Sequence, residues 1–281
     1  MANQPTKLGV ALRLFIFAFL GLAGMVLFAW LLAPFGYLVA ATMSTFAASA
    51  AANAVTVRVY ERGRLEDIGL GWSAASRHNL SFGFCAGLLA ASSVTALPVL
   101  AGAAEFQRNP QAPFNPGTLI FVLVVLLFGV IGEEMLFRGY AFQVIMGLAG
   151  PFATILPFGI LFAVAHSSNQ NASLLGLVNT FAWGVVLGYA FLRSGDLWLP
   201  IGLHFGWNIT LPLFGVNLSG FTMGLAGYSM RWKAGELWSG GEYGPEAGLL
   251  TTVVVPLLFY LLTRAPIRRQ EAFLLRGREV V

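Results

Sequence analysis

The sequence predicts an all-α protein, a polytopic transmembrane helical bundle of about eight spans. Three observations lead there. Of 281 residues, 57% are hydrophobic and only 10% are charged, where a soluble globular domain carries roughly 25% charged residues. The mean hydropathy is +0.76. Apolar runs also follow one another almost end to end, and a run of about 20 residues suffices to cross about 30 Å of hydrocarbon.

The first two runs, Leu14–Ala33 and Phe35–Val57, are separated only by Pro34. No small-residue cleavage pattern follows the first, so it reads as a retained span rather than a removable signal peptide. Leu80–Ala104 and Thr118–Met146 make the third and fourth spans. Pro151–His166, Ser173–Leu192, Leu197–Phe214 and Ala247–Leu262 complete the eight, the fifth and the last being short enough that seven spans also fit. The longest polar segments are Arg58 to Asn79 and Asn217 to Glu246. The latter holds Tyr228, Trp232, Trp238 and Tyr243 among glycines, which suits a loop lying in the membrane interface better than a lid. No segment has the composition of a soluble domain and no fixed-period repeat is present. The expectation is one membrane-embedded domain, residues 1–281, whose residues 118–208 carry the functional core.

A pI near 9.5 raises the question of an anionic partner, and the placement of the basic residues answers it. With the N-terminus in the cytoplasm and eight spans, the cytoplasmic side receives Lys7, Arg13, Arg58, Arg62, Arg64, Arg77, Arg193, Arg264, Arg268, Arg269, Arg276 and Arg278. Only Arg108, Arg231 and Lys233 fall outside. That is the positive-inside asymmetry of an oriented membrane protein, with both termini cytoplasmic and no nucleic-acid partner. The single cysteine, Cys85, sits in an apolar run and can make no intramolecular disulfide. Compact length without an added soluble domain or targeting segment favours a bacterial cytoplasmic membrane.

Of the 16 Lys and Arg and 12 Asp and Glu residues, only Glu133, Glu134 and Arg138 lie well inside an apparent span, and all three share it. Unpartnered, three such charges cost about 7–10 kcal/mol, against about 4–7 kcal/mol returned by the apolar stretch Leu119–Ile131. They must be partnered inside the bundle. Glu134 and Arg138, four apart, share a helix face and form an ion pair. Glu133 is rotated about 100° away and is the freer carboxylate, with Gly129 and Gly132 allowing close approach of a neighbouring helix.

His78 lies in a basic loop and reads as a surface residue. His166 ends the fifth apolar run, four residues after Phe162, and His204 stands four residues before Asn208 in the seventh. A glutamate, two histidines and an asparagine on three otherwise apolar helices must find partners and would find one another. Such a site suits hydrolysis in either of two ways. In one, Glu133 and His166 deprotonate a water while His204 and Asn208 stabilise the oxyanion, with no cofactor required. In the other, Glu133, His166 and His204 ligate zinc, although the local His-Glu-x-x-His spacing is absent. A serine nucleophile is disfavoured, because no Gly-x-Ser-x-Gly occurs.

Glu133-Glu134-x-x-x-Arg138, followed by Gly139, then Phe162-x-x-x-His166 and His204-x-x-x-Asn208 on successive helices, resembles the type II CAAX prenyl protease family. That group, often called CPBP, includes bacteriocin-processing enzymes and immunity proteins. The resemblance covers Glu133 to Asn208, with the stretch Asp67-Ile-Gly-Leu-Gly-Trp72 and the eight-span architecture outside it. It implies an intramembrane endopeptidase with Glu133, His166, His204 and Asn208 catalytic, Glu134 and Arg138 supporting, and a membrane-anchored peptide or protein as substrate. A non-catalytic immunity or scaffold protein and a proton-coupled transporter are the alternative classes.

Overall fold

The computed structural model describes residues 6–270 together with Ala272 and Leu274. The basic tail residues Arg276 and Arg278 lie outside the described residues. The chain is an all-α bundle, as expected. Its main helices are α1 (Lys7–Leu32), α2 (Tyr37–Thr56), α3 (Ala74–Leu100), α4 (Pro116–Arg138), α5 (Tyr140–Ala149), α6 (Phe152–Ala165), α7 (Leu174–Ser194), α8 (Trp198–Leu213), the single turn α9 (Glu236–Ser239) and α10 (Leu249–Arg264). Two short strands, β1 (Ala104–Arg108) and β2 (Tyr228–Trp232), pair antiparallel with Phe106 opposite Met230.

The helices start where side chains can take up free backbone N–H groups. Ser73, Asn115 and Ser173 cap α3, α4 and α7 by accepting from the N–H groups of Ser76, Thr118 and Gly176. Pro116 then supplies a first helical residue that needs no such partner. On α1, Phe15, Phe19, Leu22, Val26 and Trp30 remain exposed at three- and four-residue spacing. In water that stripe would be an aggregating patch, whereas hydrocarbon solvates it.

Five segments are long and apolar enough to cross a membrane: Lys7–Phe35, Tyr37–Glu61, Ala74–Leu100, Pro116–Ala149 and Leu174–Ser194. This is an integral membrane protein. The fifth, seventh and eighth apolar runs form helices of 14, 16 and 16 residues, about 21–24 Å long at 1.5 Å per residue, short of the hydrocarbon thickness. The fourth run is interrupted at Gly139, where α4 ends and α5 begins.

That break is held by a residue from a distant helix. Asn53 of α2 donates from Nδ2 to the carbonyls of Met135 (2.9 Å) and Ser49 (2.8 Å), and its Oδ1 accepts from the N–H of Tyr140 (2.7 Å). Gly139 leaves the space for it, since a Cβ there would collide with both the Met135 carbonyl and the Asn53 side chain. Gln143 of α5 completes the joint, donating to the carbonyls of Arg138 (2.9 Å) and Ile68 (2.8 Å). Asn53→Ala strands the buried N–H of Tyr140, which costs about 1–3 kcal/mol, while the Met135 carbonyl keeps the N–H of Gly139. The variant's thermal unfolding midpoint in detergent should fall clearly; an unchanged midpoint would mean that the joint does not need the asparagine.

Two close crossings place the site. Gly132 of α4 lies against α2, where an added Cβ would stand 2.6 Å from the backbone N and Cα of Phe46. Gly83 and Gly87 of α3 meet Gly202 and Gly206 of α8 backbone to backbone. The bundle thus has two distinct ends. One joins the α2 terminus, the α4–α5 break, the start of α3, the α7–α8 turn and the segment after α10, through Arg13–Glu61 (2.9 Å), Tyr140–Glu61 (3.0 Å), Asn79–Asp196 (2.9 Å) and Gln270–Asp196 (2.6 Å). Burial raises the Asp196 carboxyl above its ordinary value despite those donors. The stretch Asp67 to Trp72 also packs at this end, Trp72 meeting Trp198 edge-on and the Gly71 carbonyl accepting from the Trp198 indole. The other end carries the β1–β2 strand pair and the loop between α8 and α10, pinned in part by Lys233–Glu105 (2.6 Å).

Candidate active site

The site forms where α4, α6 and α8 converge. Glu134, on the last turns of α4, has no exposed surface, and neither has Arg138 one turn on. Their ion pair closes at 3.2 Å between Arg138 Nη1 and Glu134 Oε1. The guanidinium also donates from Nη2 to the Gly184 carbonyl of α7, 3.0 Å away. The same Glu134 oxygen lies 2.8 Å from Nδ1 of His204 on α8. Glu134 therefore joins the arginine to a histidine, a link that spacing along one helix could not indicate because the two residues are 70 apart.

Glu133 faces the other way, as the helical rotation requires. Its Oε2 makes no hydrogen bond among the described residues, and lies 3.8 Å from Nε2 of His204 and 4.0 Å from Nε2 of His166. His166 caps α6: its Nδ1 is 2.8 Å from the Phe162 carbonyl, one of the orphan acceptors of the last turn. A carbonyl only accepts, so Nδ1 carries the proton and Nε2 presents its lone pair to the cavity when the ring is neutral. The four-residue spacing of Phe162 and His166 is thereby a side chain folded back on its own helix. The Phe162 ring fills the space between the ionisable groups, with centroids 4.6 Å from His166 and 6.0 Å from His204 and the Arg138 guanidinium 4.9 Å over its face.

Glu133, His166, His204 and Asn208 all line one cavity of about 380 Å³. Asn208 stands one turn beyond His204 on α8. The structure thus brings together the four residues singled out from the sequence. Residues that sequence reasoning passed over line the same cavity: Asn169, Asn179, Thr180, Trp183, Trp207 and Glu246. The segment Asn217 to Glu246, expected as an interfacial loop, also reaches the site. Leu218, Ser219, Phe221 and Thr222 border the cavity, and Glu246 fastens them there. Its Oε1 accepts from the Trp207 indole (3.0 Å) while its Oε2 accepts from the N–H and hydroxyl of Ser219. The polar composition that suited an interfacial loop serves also to cover a polar site. Beneath it Tyr243 is buried, which pushes its phenol up to about 12 and keeps it neutral. An acidic residue at the threshold of an apolar run, as in Pro245-Glu246, was the one sequence signal for this covering.

The donor types suit zinc. The spacing does not: ligands of a tetrahedral ion with bonds near 2.0–2.1 Å stand roughly 3.3 Å apart, closer than the 3.8 and 4.0 Å separations here. Among the described residues no group of three or more His, Cys, Asp or Glu is placed to hold a metal ion. As arranged, the three side chains do not fit the ion.

Fold and site together define a helical integral membrane protein with a carboxylate–imidazole centre carried on its helices. Residues 115–210 match the family described as type II CAAX prenyl endopeptidase Rce1-like; the resemblance carried by the three motifs is borne out over that stretch. The chain is also similar to an uncharacterized 24.3 kDa protein of Escherichia coli, 33% identical over 102 residues, 36% of this chain and 46% of that protein. A second relative is the uncharacterized protein YyaK of Bacillus subtilis, 27% identical over 147 residues, 48% of this chain and 47% of that one. The chain thus spans about half the length of the curated relatives it matches.

Proposed function

We propose that the protein is an intramembrane endopeptidase that hydrolyses a peptide bond of a membrane-anchored peptide or protein substrate, in a bacterial cytoplasmic membrane. The observation that carries this reading is the approach of one Glu133 oxygen, without a hydrogen bond among the described residues, to Nε2 of both His166 and His204 inside one cavity. The family match over residues 115–210 supports it, and the two bacterial relatives support the location.

A water hydrogen-bonded at about 2.8 Å to both Glu133 Oε2 and His166 Nε2 spans their separation with an angle near 90° at its oxygen. Glu133 takes one proton of that water as the oxygen adds to the peptide carbonyl carbon. The proton is then delivered to the amide nitrogen as the C–N bond breaks, leaving an acid and an amine. Asn208 and His204 donate to the carbonyl oxygen as negative charge develops on it. Because Nδ1 of His204 is committed to Glu134, its Nε2 can donate only when the ring carries both protons. Arg138 and Glu134 act as positioning residues that hold this ring. No cofactor is required.

Purified protein in detergent or proteoliposomes, incubated with candidate membrane-anchored substrates, tests the reading. Cleavage by the wild type and its loss in His166→Ala are expected. Cleavage should also survive exhaustive chelation in protein shown by elemental analysis to be free of metal; chelation that stops cleavage, reversed by zinc, would replace the water-activation scheme with a metal one.

A further inference from the structure

The two ends of the bundle differ in a way that bears on which substrates can reach Glu133. At the end that holds the α4–α5 break the site is closed. Glu134 and Arg138 have no exposed surface, Tyr140 and Gln143 are fully buried, and Asn53 and Gln143 occupy the joint with hydrogen bonds to backbone. A peptide cannot enter past them without breaking the charged link itself. The cavity instead runs toward the end that carries the β1–β2 strand pair, where its border includes Tyr37 at the start of α2, Asn169 beyond α6, and Ser219, Thr222 and Glu246 of the covering loop. Thr222 is exposed there and Tyr37 stacks on Phe221, their ring centroids 5.4 Å apart.

The same two ends carry very different charge. The described basic residues Lys7, Arg13, Arg58, Arg62, Arg64, Arg77, Arg193, Arg264, Arg268 and Arg269 lie on elements of the closed end. The end with the strand pair has Arg108, Arg231 and Lys233, of which the last two face Glu105 at 3.4 and 2.6 Å. Membrane insertion retains the Lys- and Arg-rich end in the cytoplasm. We infer that the cavity opens on the non-cytoplasmic face of the membrane, so that the substrate is a peptide segment of a translocated or membrane-anchored protein presented on that face, and not a cytosolic chain terminus. The substrate part of this inference rests on the proteolytic reading. The orientation does not.

Cysteine accessibility tests it. With Cys85, the chain's one cysteine, replaced by alanine, single cysteines are introduced as Thr222→Cys at the cavity border, Gln111→Cys in the loop after β1 and Glu66→Cys at the closed end. Right-side-out vesicles are then treated with a membrane-impermeant maleimide before and after permeabilisation. Thr222→Cys and Gln111→Cys should label in sealed vesicles, and Glu66→Cys only after permeabilisation. The reverse pattern, or labelling of all three in sealed vesicles, would overturn the inference. Gln111→Cys preserves the test if substitution at Thr222 disturbs the covering loop. Labelling requires no cleavage, so failure of the orientation and failure of the proteolytic reading are observed separately.

Discussion

Glu133→Gln is expected to lower the rate of substrate cleavage by about 10²–10⁴-fold, the range contributed by a positioned general base, with little change in thermal stability. The two halves of that expectation have different origins. Glutamine keeps the shape of the side chain and its place on α4, but its amide cannot accept a proton from water at neutral pH. Stability should hold because Glu133 Oε2 makes no hydrogen bond among the described residues and the side chain retains 29% of its exposure, so little of the bundle depends on its charge. Cleavage kinetics and an unfolding scan on the same preparation decide the matter. Full activity in Glu133→Gln would remove the mechanism, whereas lost activity with a collapsed unfolding midpoint would show that the residue supports the fold instead.

The contrast with Glu134 explains how far the sequence could be read. Hydropathy reports transfer free energy averaged along a run, which suffices for an all-α membrane bundle and for noticing three charges where lipid should be. Helical periodicity then pairs Glu134 with Arg138 and turns Glu133 away, and the structure has both. Neither signal sees which atoms bond across the chain. The Glu134–His204 link, the Asn53 joint at Gly139 and the Glu246 clasp on Ser219 each connect elements remote in sequence. Length is equally blunt: the apolar runs behind α6, α8 and α10 form helices of only 14, 16 and 16 residues, and hydropathy does not say whether such a helix crosses the membrane or ends at a site within it. His166 is the instructive case. It caps the C-terminus of a 14-residue helix, and the end of the helix there leaves its ring free to fold back on Phe162 and face Glu133.

Arg138→Met is expected to destabilise the folded protein by about 3–5 kcal/mol, the cost of leaving one member of a buried ion pair uncompensated. Glu134 has no exposed surface, so water cannot take over from the lost guanidinium. Its Oε1 would keep only His204 Nδ1 at 2.8 Å, and the Gly184 carbonyl would lose the donor from Nη2. Methionine fills much of the volume and leaves the Phe162 face covered, so the loss reports charge rather than a cavity. Glu134→Gln combined with Arg138→Met removes both charges together, and the pair should recover a substantial part of the stability lost in Arg138→Met alone, the signature of coupling in a double-mutant cycle. Denaturation in detergent across the four proteins measures it. Additive losses would mean that Glu134 and Arg138 stabilise the bundle independently. If the double variant folds but does not cleave, the charged pair is retained for the orientation it imposes on His204, since a glutamine oxygen at position 134 can accept from Nδ1 but cannot offset a doubly protonated ring.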